Sequence, residues 1–119
     1  MAKHDSRLDR VFAALGDPTR RAILARLARG EASVSELADS HAMALPSFMK
    51  HLRKLEQAGL ITSAKKGRVR ACALSPDAFA PAQDWLSEQR AIWEARLDQL
   101  DAYASNLARE RENGTGSED

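Results

Sequence analysis

Residues 45–74 read LPSFMKHLRKLEQAGLITSAKKGRVRACAL, and two different periods meet inside them. Phe48, Leu52 and Leu55 recur at helical spacing behind Pro46, whose fixed φ and missing N–H suit a first turn. Gly59 is the expected stop. From Ile61 the period shortens: Val69, Ala71 and Ala73 alternate with polar neighbours, and Lys66-Gly67 marks a turn between two strands. A helix over about 45–58 is therefore followed by a hairpin over about 61–74 with a basic tip.

Upstream, Ser33 and Glu36 have the spacing of a capping box, which starts a short helix containing Leu37 and Ala38. Two short helices joined by a tight connection around residues 41–44 form a helix-turn-helix, and a hairpin directly after the second helix is a wing. Earlier still, Leu8, Val11, Phe12 and Leu15 share one helical face. Asp17-Pro18 then opens another helix, with Ile23, Leu24 and Leu27 as its apolar stripe and Gly30 beyond its end near Arg29.

Downstream, Ser75-Pro76 breaks the strand, and a helix runs from about Pro81 to Arg111 without internal glycine or proline. Leu86, Trp93, Leu97, Leu100, Ala104 and Leu107 fall mostly at alternating threes and fours, the seam of paired helices, with Trp85 and Ile92 beside it. About 25 residues of helix span roughly 38 Å, more than a small core needs, so part of the seam is expected to bury against a second copy. The expected fold is mainly α with a small β-hairpin: five helices plus a wing in one domain, residues 1–110. Residues 111–119 form a disordered acidic tail.

Charge follows this layout. Between Ser47 and Arg70 there are seven positive residues and one acid, Glu56, whereas Asp84 to Asp119 holds nine acids against four arginines. A basic segment in a nearly neutral chain is the footprint of phosphate contact; a solvated lysine-rich surface has the same charge, and the element order favours the first reading. With 44% hydrophobic and 29% charged residues, the 119-residue chain has an ordinary globular composition. No apolar run approaches the roughly 20 residues of a membrane span, the polar N-terminus lacks a signal core, and a cytoplasmic protein is expected. Cys72 is the single cysteine, which excludes an intrachain disulfide or a cysteine cluster for zinc.

Over about residues 8–107 the chain resembles the ArsR-type winged-helix repressors. VFAALGDPTRRAILARL resembles their first two helices, SVSELAD the third, LPSFMKHLRKLEQAGLI the recognition helix and KKGRVRACAL the wing. The resemblance implies a homodimer, held by its first and last helices, that represses transcription from operator DNA and releases it when an effector is sensed. Metal-sensing members carry cysteines in the third helix or histidine and acid ligands in the last. Neither pattern is present, and AQDWLSEQRAIWEARLDQLDAY resembles a metal-free subgroup. No cofactor or metal site is expected, and the sequence names no effector.

The expected DNA-facing set is Ser47, Met49, Lys50, Arg53 and Lys54 on the recognition helix, with Lys65, Lys66, Arg68 and Arg70 on the wing. Ser47, Met49 and Lys50 are placed to reach base edges, and Arg53 and Lys54 to hold phosphates; Met49 also reads as core filler. Arg20 and Arg21 suit either the DNA backbone or helix surface charge. The expected dimer set is Leu8, Phe12, Leu86, Trp93, Leu97, Leu100 and Leu107. His4, His41 and His51 suggest no ligand site, Trp85 and Trp93 read as interface rather than effector pocket, and Cys72 reads as a small buried residue. No set of catalytic groups is evident, so no enzyme is expected. The alternative is a winged-helix module that binds protein or RNA.

Overall fold

A computed structural model describes residues 6–117, with side-chain environments to residue 113. Its elements run α1 (Ser6–Leu15), α2 (Pro18–Leu27), β1 (Ala32–Ser33), α3 (Val34–Asp39), α4 (Leu45–Gln57), β2 (Ile61–Lys66), β3 (Val69–Leu74) and α5 (Ala80–Ser117). One compact unit ends at Ala82 and a second begins at Gln83, so α5 spans the division. The last helix continues past its expected end near Arg111, while residues 118–119 of the expected tail lie outside the described residues.

The first unit is built around Val11, Ile23, Leu27, Leu37, Phe48, Leu52, Leu55 and Leu60, all nearly inaccessible. Apart from Leu60, which follows α4, these belong to the helical patterns visible in the sequence, now facing one another. Each helix start has a local cause. Asp17 accepts from the Arg20 backbone N–H at 3.0 Å ahead of Pro18. Ser33 Oγ accepts from Glu36 N–H at 3.0 Å, and Glu36 Oε1 accepts from Ser33 N–H at 3.2 Å, completing the expected capping box.

The two arginines after Asp17-Pro18-Thr19 reach back to the end of α1, Arg20 half-buried and Arg21 exposed. Arg20 donates from Nε to Ala14 O at 2.8 Å and from NH2 to Ala13 O at 3.0 Å, while NH1 meets His51 Nδ1 on α4 at 3.0 Å. Arg21 donates to Leu15 O at 2.7 Å. Together they satisfy the carbonyls left open at the end of α1 and place positive charge against its negative pole. Because Arg20 can only donate, His51 Nδ1 stands in the accepting position of that contact. Replacing Arg20 with alanine is expected to destabilise the protein by about 2–4 kcal/mol, since two carbonyls and a ring nitrogen lose a charged donor together. Lysine should recover little, because one ammonium cannot reproduce the planar three-way fork. Urea unfolding of both variants checks this, and a wild-type midpoint in Arg20→Ala would refute it.

Asp17 and Glu36 are both held below their ordinary carboxylate pKa, chiefly by hydrogen bonds from the backbone of Arg20 and Ser33 respectively. A depressed folded value means that the unfolded chain takes up the proton first. Their stabilisation is therefore present above about pH 4 and lost as pH falls through the folded values. Thermal melts from pH 7 to 3 should show this acid loss, and Asp17→Asn should flatten part of it while keeping a usable cap. An unchanged acid slope in that variant would refute the assignment.

The sheet order is β1-β3-β2, all antiparallel. The short first strand, Ala32↔Cys72 and Ser33↔Ala71, was not anticipated, because two residues are too few for a period to show. The hairpin register also corrects the expected turn. Lys66 pairs with Val69, so Gly67 and Arg68 are the central residues; Gly67, at φ 66°, supplies the left-handed first position of a II′ turn. Ile61↔Leu74 and Ser63↔Cys72 put Cys72 on the inward face, fully buried, and leave Val69 half exposed. Val69, Ala71 and Ala73, which alternate with polar neighbours in the sequence, therefore form the outer face.

Candidate nucleic-acid interface

Three buried residues, Phe48, Leu52 and Leu55, fix which way α4 is turned. Ser47, Lys50, Arg53 and Lys54 consequently lie exposed on the opposite side, with Gln57 continuing that face toward the C-terminus. Met49 is half-buried and packs against the core, so the structure places it at the border of this face. The helix ends in a Schellman motif: Leu60 N–H donates to Leu55 O and Gly59 N–H to Glu56 O, both at 3.0 Å, with Gly59 at φ 76°. Leu60 and Leu55 are both fully buried, and their burial aims the chain into β2. The hairpin is thereby tied to the end of the basic helix.

The four wing cations differ in their surroundings. Lys65 and Arg68 are exposed and form no ion pair among the described residues. Lys66 Nζ donates to Glu31 Oε1 at 2.7 Å. Arg70 NH1 donates to Ser63 Oγ at 2.9 Å, and the Ser63 hydroxyl donates to Glu56 Oε1 at 3.1 Å, a relay joining β3, β2 and the last turn of α4. Glu31 and Ser63 were not singled out in the sequence. A lone acid in a basic segment was the only available signal, and it pointed to Glu56.

Other candidates fall elsewhere. His41 stacks at a tilt on Phe48, ring centres 5.4 Å apart. His51 joins Arg20 and stands 3.7 Å from Asp17 Oδ2, and His4 lies outside the described residues. Among the described residues no group of three or more His, Cys, Asp or Glu could hold a metal. Burial pushes the Cys72 thiol pKa up, and the Glu56 carboxylate adds to the shift, so the reactive thiolate is disfavoured. Of the expected dimer residues, Leu8 and Phe12 pack partly on the core of the first unit. On α5, Leu86, Trp93, Leu97, Leu100 and Leu107 are between 42% and 66% exposed and form an apolar seam.

Comparison with known proteins agrees with this geometry. A helix-turn-helix domain family matches residues 15–64. The transcriptional repressor SdpR of Bacillus subtilis is 32% identical over 79 residues, which cover 66% of this chain and 88% of that protein. The crystal structure of an ArsR family transcriptional regulator, RHA00566, superposes with a TM-score of 0.73 at 53% identity, covering 79% of this chain and 97% of that one. The chain belongs to the ArsR family. A solution structure of the homodimeric winged helix-turn-helix DNA-binding domain Mb0332 from Mycobacterium bovis is 28% identical with a TM-score of 0.58; the match covers 75% of this chain and 93% of that one. As an ArsR-type regulator this chain is a DNA-binding transcription factor, not an enzyme, and α4 is its recognition helix. No helix among the described residues is long and apolar enough to cross a membrane.

Proposed function

We propose that this protein is a cytoplasmic homodimeric repressor that reads an inverted-repeat operator, with residues 1–110 carrying both DNA binding and dimerisation. The observation that carries the reading is the exposed face of α4, where Ser47, Lys50, Arg53 and Lys54 stand together opposite a fully buried stripe. Ser47 and Lys50, nearer the helix start, reach base edges, and Arg53 and Lys54 hold phosphates. Met49, at the border of the face, contributes an apolar contact to a thymine methyl. The wing lies along the backbone or minor groove, presenting Lys65 and Arg68 first.

The seam of α5, with Leu8 and Phe12 of α1, joins two copies so that their recognition helices enter major grooves one helical turn, about 34 Å, apart. The homodimeric state of Mb0332 supports this assembly. Repression follows by steric exclusion of polymerase, and the single-chain apolar seam supplies the reason for a second copy.

Selection of bound duplexes from a random library by the purified protein, repeated across a salt series, tests the reading. An enriched inverted repeat with a steep fall of affinity with salt is expected. Weak, sequence-blind binding would refute it and favour a protein or RNA partner.

A further inference from the structure

The wing's cations face different competitors before any DNA arrives. Glu31 stands immediately before β1, which pairs with β3, whereas Lys66 ends β2 on the far side of β3. Lys66, Val69 and Ala71 share the outer face, so the Lys66 ammonium crosses β3 to meet Glu31 at 2.7 Å. A shallow groove with Val69, Ala71 and Ala32 among its lining residues lies at this crossing. Its other acid, Glu36, is committed to the capping box and faces Arg26 at 3.8 Å. Glu31 forms no second ion pair among the described residues and caps no helix. Its evident partner is one cation of a surface that must meet phosphate.

We propose that Glu31 is a built-in competitor of operator phosphate for Lys66, setting DNA affinity below what the wing's charge alone would give. The inference rests on the reading of the wing as a phosphate-contacting element. Both side chains remain largely solvated, 64% and 46% exposed, so the pair exchanges readily. It acts as a brake that phosphate can release. Charge at the rim of a binding surface acts chiefly on association and on salt sensitivity, and Glu31 does the same with negative sign.

The test uses Glu31→Gln, Lys66→Ala and their combination on the selected operator at low and high salt. Glu31→Gln should bind about two- to five-fold tighter at low ionic strength, the range of an exposed ion pair. The gain should shrink with added salt and vanish when Lys66 is alanine. A purely structural role for the pair would weaken binding instead. Unchanged or weaker binding by Glu31→Gln overturns the proposal. A gain that persists undiminished without Lys66 also overturns it, because removal of one negative charge at long range then accounts for the effect. Lys65→Ala with Arg68→Ala separates the two levels. Weakened binding there beside an inert Glu31→Gln overturns the competition alone, whereas no weakening overturns the wing contact and the competition with it.

Discussion

Replacing Lys50 and Arg53 together with alanine is expected to weaken operator binding by about 100-fold or more, since each good base or phosphate contact contributes about 1–3 kcal/mol. Both side chains are exposed on the face of α4 that Phe48, Leu52 and Leu55 turn away from the core. Neither forms an ion pair among the described residues, so their removal strands no buried partner. Thermal stability should consequently stay within the small range of exposed substitutions, about 0.5 kcal/mol. The two single variants should differ in kind. Lys50→Ala should relax the preference at one base step, whereas Arg53→Ala should weaken all duplexes alike and lower the salt slope by about two, one for each copy. Binding isotherms on matched and mismatched duplexes distinguish these outcomes; wild-type affinity in the double variant would remove both residues from the interface.

The second large effect is on assembly. Leu97→Glu combined with Leu100→Glu is expected to convert the dimer to monomer and to eliminate operator binding at concentrations that saturate the wild type. Leu97 and Leu100 are 54% and 61% exposed in the single chain, and each leucine buried in a seam contributes about 1.5–3 kcal/mol. Glutamate retains helix propensity, so α5 should persist while four new charges, counting both copies, face one another in an already acidic segment. A monomer presents one recognition helix and loses the second half-site. Sedimentation velocity and operator titration on the same sample check both halves of the expectation. A double variant that stays dimeric would relocate the interface, and a monomer with full operator affinity would end the two-half-site mechanism.

Features of the fold that depend on near neighbours were legible in the chain. The Ser33/Glu36 box, Pro18 and Pro46 at helix starts and Gly59 beyond a helix end each act within a few residues. The apolar stripe of α4 likewise determines, by its period alone, which of its polar residues are outside. The basic centre and acidic end are properties of composition. Together they determined a winged helix-turn-helix with a long apolar-seamed helix, and the class of partner that suits it.

Tertiary structure decided what depends on register and on which distant group arrives beside a charge. Alternation along β3 did not say which of its faces packs inward; the packed core did, with Ile61 and Cys72 buried and Val69 exposed. Only the folded chain brings Glu31 to Lys66, links Arg70 to Glu56 through Ser63, and directs Arg20 and Arg21 onto the end of α1. In the sequence all four cations look free, because charge is a local property whereas its neutralisation is not. An ion pair forms wherever packing of apolar residues elsewhere delivers an acid within reach, and that delivery is a consequence of the whole core.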